Sequence, residues 1–151
     1  MNELDKAKAI KLLNRVLESE LAGVVRYTHY SLMVFGHNRI PIVKWLQEQA
    51  AEGLAHAQRA GEMVTLLGGH PSLGIGALLE SHKHAVDDIL RESKAHEEAA
   101  LATYYEILEL ARDRSVLLEE YARELIVEEE LHVDAVNKML RAPGEIGALA
   151  S

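Results

Sequence analysis

An all-α fold, an antiparallel four-helix bundle with one long crossover between its second and third helices, is predicted by three features of this 151-residue sequence. Apolar residues recur at alternating spacings of four and three along four long stretches, the pattern of helices that each bury one face. Two of the three breaks between these stretches are short, which makes the helices they join antiparallel neighbours. The remaining break, residues 68–79, holds four of the ten glycines and one of the three prolines. Extended at about 3.3 Å per residue it reaches about 40 Å, matching a helix of about 27 residues, so it can cross the bundle from end to end.

The first helix is expected over residues 4–35, free of proline, with Gly23 inside it and Gly36 as its C-terminal stop. Its seam reads Ile10, Leu13, Leu17, Glu20, Val24, Tyr27, Ser31, Val34. Glu20 interrupts that seam, either as a ligand or as an acceptor for a facing tyrosine. A short turn, His37 to Ile40, leads to Pro41, which suits the first turn of a second helix over residues 41–67 closed by Gly68-Gly69. Its seam is Ile42, Leu46, Gln49, Gly53, His56, Ala60, Met63, Leu67. His56 therefore points inward, but the position three before it is Gly53. Glu52 lies four before His56 and about 40° around the helix from it, so it either joins the same site or pairs at the rim with a base such as Arg59.

The third helix is expected over residues 81–112, with seam Val86, Leu90, Ser93, Glu97, Ala100, Tyr104, Ile107, Ala111. A second seam, Ala85, Ile89, Ser93, His96, Ala100, Thr103, Ile107, is almost as good, which leaves the register open by one residue between Glu97 and His96. Asp113-Arg114-Ser115 turns the chain into the fourth helix, residues 116–141, stopped by Ala142-Pro143-Gly144. The stripe Leu118, Ala122, Leu125, Glu129, His132, Val136, Met139 carries a carboxylate and an imidazole three residues apart. Such a pair lies about 60° apart on one face and can converge on a cation, which offsets the cost of burying an ionised carboxylate. Residues 1–141 are read as one bundle domain and 142–151 as a short tail.

Composition narrows the chemistry. With 48% hydrophobic and 26% charged residues the chain can bury a core. No stretch approaches about 18 uninterrupted apolar residues, and Met1-Asn2-Glu3-Leu4-Asp5-Lys6 has no basic region leading into an apolar run, so a cytoplasmic protein without a membrane span is expected. The absence of cysteine removes disulfides, thiolate metal sites and thiol catalysis, and leaves carboxylate and imidazole as metal ligands, a set suited to iron, manganese or zinc. A net charge of −8 argues against a nucleic-acid surface and for attraction of cations. One Phe and one Trp provide no base-stacking platform.

Each helix thus has a polar break at comparable depth: Glu20, Glu52/His56, Glu97 and Glu129/His132. One Glu from each of two helices plus a Glu-x-x-His from each of the other two is the di-iron carboxylate arrangement of ferritin-like bundles. The chain resembles a bacterioferritin-type member of that superfamily over nearly its whole length to Leu140, through Leu17-Glu18-Ser19-Glu20-Leu21 with Tyr27, Ala55-His56-Ala57, Leu66-Leu67-Gly68-Gly69-His70-Pro71, Glu97 to Tyr104, and Glu128-Glu129-Glu130-Leu131-His132-Val133-Asp134. The resemblance implies that Glu20, His56, Glu97, Glu129 and His132 take ligand positions and that Glu129 bridges two irons. It also implies oxidation of Fe(II) by dioxygen for iron storage or detoxification, and a homo-oligomer, a dimer at minimum with a closed shell as the family's larger assembly.

Three departures accompany it. Gly53 stands where the second bridging Glu would fall, so that either Glu52 supplies the carboxylate or the bridge is lost. Leu54 replaces the methionine that ligates haem, so haem is not implied. Counting without gaps places His96 rather than Glu97 at the helix-three ligand position. Two other functions follow from these residues: a degenerate or single-metal assembly protein, to which Gly53 points, and a di-iron oxygenase acting on an organic substrate, for which Ala22, Gly23, Ala50, Ala51 and Gly53 leave room. His82 and His84 read as a solvated helix start with a surface metal as the alternative, His29 has no acidic partner at ligand spacing, and Trp45 reads as an anchor for a subunit interface.

Overall fold

The structure, a computed structural model, describes residues 3–78 and 80–147. Four helices run in the order α1 (Lys6–Met33), α2 (Arg39–Leu66), α3 (Val86–Ala111) and α4 (Val116–Leu140), with no strand among the described residues. The α1/α2 and α3/α4 hairpins pack along their lengths, and α1 also packs on α3. Pairing of Tyr27 with Glu97, Glu20 with Tyr104 and Arg15 with Glu106 sets α1 antiparallel to α3.

Local chemistry explains the helix ends. The Asp5 carboxylate accepts from the Lys8 N–H at 3.1 Å and the Ser115 hydroxyl from the Leu118 N–H at 3.2 Å, each satisfying a free N-terminal donor. α1 stops at Met33, two residues before the expected end. Val34 is extended, and its carbonyl accepts from Arg39 Nη1 at 2.6 Å, so a side chain of the next helix caps this one. Gly36 follows at φ +104°, a conformation in which a Cβ would be strained.

The third helix departs most from expectation, beginning at Val86 and not at residue 81. His82 is left-handed at φ 59°, its N–H donates to Glu80 Oε1 at 2.6 Å, and the Lys83 N–H donates to Ser81 Oγ at 3.3 Å. These local side-chain turns and the left-handed His82 hold residues 80–83 outside the helical conformation. Asp87 and Asp88 then occupy the first turn, where the helix dipole favours negative charge.

The crossover, residues 67–85, is laid along α1. Asn14 donates to the His70 carbonyl at 3.1 Å and accepts from the Ser72 N–H at 2.9 Å, Ser72 Oγ donates to Glu18 Oε2 at 2.5 Å, and the Gly76 N–H reaches the Glu18 carbonyl at 2.9 Å. A Cβ on Gly76 would lie 3.2 Å from that carbonyl oxygen, so a small residue lets strap and helix backbones meet.

Two apolar clusters form the core. The larger joins the first half of α1 (Leu13, Leu17), the second half of α2 (Ala60, Val64), the second half of α3 (Tyr104, Ile107) and the first half of α4 (Leu118, Leu125). The smaller gathers Tyr27, Tyr30, Val34, Leu46 and Ile89 at the other end. Glu20, His56, Glu97 and Glu129, all buried, fall between the two. The seam pattern therefore resolves into apolar, polar and apolar layers.

Candidate metal centre

The polar layer is built around Glu129, which is 1% exposed. Its two oxygens face different imidazoles: Oε1 lies 3.5 Å from His56 Nδ1 and Oε2 lies 3.8 Å from His132 Nδ1. The seam spacing on α4 places Glu129 and His132 on one face, while His56 arrives from α2. Glu20 of α1 completes one side, with Oε2 at 3.6 Å from His56 Nδ1. Glu97 of α3 completes the other, with Oε2 at 3.9 Å from His132 Nδ1. Two three-residue groups result, Glu20/His56/Glu129 and Glu97/Glu129/His132, and they share Glu129.

Tyrosines hold the two outer carboxylates. Tyr27 Oη donates to Glu97 Oε1 at 2.5 Å and Tyr104 Oη donates to Glu20 Oε1 at 3.1 Å. Burial, reinforced by the neighbouring carboxylates, pushes both phenols up, so they remain protonated donors. In each case the other carboxylate oxygen is left facing the centre. Tyr104 is the facing tyrosine anticipated for Glu20, and it orients that carboxylate without withdrawing it from the cluster.

Burial opposes the imidazolium form of His56 and His132, but the carboxylates outweigh it and raise both to about 10. Glu129 and Glu97 titrate as a pair. Burial and the close Glu97 raise Glu129, whereas for Glu97 burial is overcome by the adjoining Glu129 and His132 and by the Tyr27 hydroxyl, and its carboxyl is lowered. Two imidazolium charges thus offset part of the charge of the three buried carboxylates, Glu20, Glu97 and Glu129. Glu129 Oε2 and His132 Nδ1 are nonetheless buried without a hydrogen-bond partner. A layer of acceptors that its own donors leave incompletely satisfied fits one or more cations, and the oxygen and nitrogen donors suit iron or another divalent transition ion.

Glu52 stands beside the layer, in a third group of possible ligand atoms with His56 and Glu128. Arg59 pairs with Glu124 at 2.6 Å, so Glu52 is not its rim partner. Its carboxylate spans the outer nitrogens of both imidazoles, 3.8 Å from His56 Nε2 and 3.6 Å from His132 Nε2. It lies behind the two ring nitrogens that face the inner cluster, in the place from which a carboxylate sets imidazole tautomer and orientation. Glu128, one residue before the seam position Glu129, contributes Oε2 at 3.2 Å from His56 Nε2.

Of the two helix-three alternatives, Glu97 is inside the layer. The His96 ring sits outside it, against Gly23, where an added Cβ would come within 2.8 Å of Nε2, and edge-on to Tyr27 at 6.3 Å. Trp45, expected at a subunit interface, also turns toward the site: its ring is edge-on to Tyr27 at 6.4 Å and packs against His132 at 6.5 Å. The only sequence signal for this was its place beside the Leu46 seam position. Leu54 is 45% exposed on the outer face of α2.

Gly53 is buried against α1, and a Cβ there would meet the Glu20 carbonyl oxygen and Val24 Cγ2 at 3.5 Å and Glu20 Oε2 at 3.7 Å. These are ordinary contacts. Gly53→Ala should therefore gain helix propensity of about 1 kcal/mol without a clash, raising the melting temperature by roughly 2–4 °C. Calorimetry checks this, and a fall in Tm would mean that the close approach to Glu20 tolerates no side chain.

Fold and site together define a carboxylate-rich helical bundle of the ferritin kind, and comparison with known proteins agrees. The ferritin-like domain model matches residues 10–143, and the chain belongs to that family. No curated protein matches the sequence. Among solved structures, the chain is similar to a ferritin-like di-iron carboxylate protein of Bacillus anthracis at 21% identity and TM-score 0.86, covering 93% of this chain and 100% of that one. It is also similar to the bacterioferritin of Rhodobacter capsulatus, at 25% identity and TM-score 0.78 over 92% of this chain and 86% of that one. A dodecameric thioferritin, the bacterioferritin-related protein of Bacteroides fragilis, shares 23% identity at TM-score 0.85 over 91% of this chain and 87% of that one. No helix among the described residues is long and apolar enough to cross a membrane.

Proposed function

We propose that the polar layer is a ferroxidase centre that takes Fe(II) as substrate and dioxygen as oxidant, in the service of iron storage or detoxification. The observation that carries this reading is Glu129, whose two oxygens each face one imidazole and so join two ligand groups through a single buried carboxylate. The ligands are Glu20, His56, Glu97, Glu129 and His132. Iron held there supplies the electrons that reduce dioxygen.

The remaining work falls to the protein. Glu20 and Glu97, each fixed through one oxygen by a tyrosine hydroxyl, present the other oxygen without rearrangement. His56 and His132 give up protons to become ligands, so part of the positive charge that iron brings to the core replaces charge already there. Glu52 orients both rings from behind and, with Glu128, forms a half-exposed acidic rim through which cations reach the buried carboxylates. The Rhodobacter capsulatus bacterioferritin has a dinuclear site, seen there without metal, and the thioferritin is a dodecamer. By analogy this chain assembles at least as a dimer, and light scattering that returned a monomer would count against that part of the reading.

Gly53 supports a second reading, a single-metal or assembly protein without turnover, because it leaves α2 with no carboxylate aimed at the inner layer. Anaerobic Fe(II) titration of the metal-free protein followed by admission of air separates the two. Two tight sites per chain and oxidation well above the buffer rate are expected for a ferroxidase; one site or none, with oxidation at the buffer rate, establishes the alternative. Glu52→Ala should weaken metal binding by about 10–100-fold, the usual effect of removing an outer partner of a ligand histidine. Unchanged affinity would show that Glu52 does not support the site.

A further inference from the structure

We infer that His29, Glu80 and His84 form a second metal site, on the outside of the bundle, that takes one divalent transition cation of the Zn²⁺ or Co²⁺ class and fastens the end of the crossover to α1. This does not rest on the ferroxidase reading. His29 lies nine residues beyond Glu20 on α1, about 13 Å along the helix, and shares no ligand with the inner layer.

The three residues are brought together only by the fold. Glu80 Oε2 lies 2.5 Å from His29 Nε2, Glu80 Oε1 lies 3.7 Å from His84 Nε2, and one ligand atom from each of the three residues lies within 4.8 Å of the others. The two imidazole rings are 6.1 Å apart. Both Nε2 atoms are shielded from solvent, and apart from the Glu80 carboxylate neither has a polar partner, so two nitrogen donors converge on one carboxylate. Two imidazoles and one carboxylate suit a borderline divalent ion, and three protein ligands leave coordination positions for water.

The arrangement is also preorganised. The left-handed turn at His82 folds the chain back so that His84 faces Glu80, although the segment is not helical. The His82 N–H donates to Glu80 Oε1, which orients the carboxylate. Upstream, the Gly76 N–H anchors the strap to Glu18. The adjoining hollow of about 280 Å³ is lined by Val25, Arg26, Tyr30 and Leu78 besides His29 and Glu80, and the Arg26 guanidinium donates to the Tyr30 hydroxyl at 3.3 Å. A cation bound to the triad would tie residues 80 and 84 to residue 29 in the stretch beyond Gly76, where no backbone hydrogen bond to α1 is formed among the described residues.

The test is Zn²⁺ titration of the full chain by calorimetry, comparing wild type with His29→Ala, His84→Ala and Glu80→Gln. Each variant should bind one Zn²⁺ fewer per chain, or bind that ion at least tenfold more weakly, while aerobic Fe(II) oxidation is unchanged. Zn²⁺ should also slow proteolytic cleavage in residues 77–85 of wild type and not of the variants. Equal stoichiometry and affinity in wild type, His29→Ala and His84→Ala would overturn the proposal, as would loss of the same ion on His132→Ala. Should a variant fail to fold, the imidazole NMR signals of His29 and His84 in wild type decide. Shifts of both on saturation with Zn²⁺ support the site, and shifts of neither overturn it.

Discussion

Glu129→Gln should lower the rate of Fe(II) oxidation at least 100-fold and reduce the number of tight Fe(II) sites from two per chain to one or none. The substitution keeps the shape of the side chain but removes a charge that faces both imidazoles and belongs to both ligand groups. Loss of any single terminal carboxylate should disable one side of the layer; loss of Glu129 disables both, which distinguishes a shared ligand from a peripheral one. The fold should persist, because the apolar clusters on either side of the layer are untouched. Anaerobic titration with stopped-flow oxidation gives the answer, and retention of two sites with a near-normal rate would remove Glu129 from the centre of the mechanism.

The second large effect is a steep dependence of metal affinity on pH. In the metal-free layer His56 and His132 are held protonated, with pKa values near 10, and metal binding needs both imidazoles neutral. Below that value two protons leave as the layer fills, so affinity for a pair of ions should rise by up to about 100-fold per pH unit. A pH indicator in weakly buffered Zn²⁺ or Fe(II) titrations reads this proton release directly. Absence of release near neutrality would mean that the imidazoles are already neutral and that the carboxylates are balanced in some other way.

The same charges set the stability of the metal-free protein, and the signs are determinate. Each histidine has a folded pKa above its unfolded value of 6.5, so its stabilising contribution is complete below 6.5 and is lost as pH rises through about 10. Glu129, raised above 4.5, acts in the same direction because the unfolded carboxyl ionises first. Glu97, lowered below 4.5, contributes stability that is present above 4.5 and disappears in stronger acid. The metal-free protein should be most stable near pH 4.5, lose stability as pH rises past the unfolded carboxyl, and lose it more steeply above pH 6.5, melting several degrees lower by about pH 9. Metal should widen its stabilising effect over that same rise.

How much of this was legible beforehand depends on which physical quantity each feature reflects. Helical periodicity is a local property. The alternation of four- and three-residue steps was sufficient to place four helices, to put Glu20, His56, Glu129 and His132 on buried seams, and to identify residues 68–79 as the crossover, and the family match and solved relatives agree with that fold. The absence of cysteine restricts the ligand chemistry to oxygen and imidazole donors, and the acidic balance favours cations.

Tertiary structure decided the rest. One residue turns a helix by about 100°, so two overlapping seams cannot be separated by pattern alone, and only packing against α1 placed Glu97 in the polar layer and His96 beside Gly23. Glu52 and Glu128 sit at the edges of their seams, and the reach of a flexible carboxylate toward two histidines depends on the distance between α2 and α4. The start of α3 depended on the local side-chain turns of Glu80 and Ser81, and the His29/Glu80/His84 group on the path of the crossover across α1. Sequence specified which faces are buried because burial follows period; the partners across each interface were decided by the route of the connections, which no local period encodes.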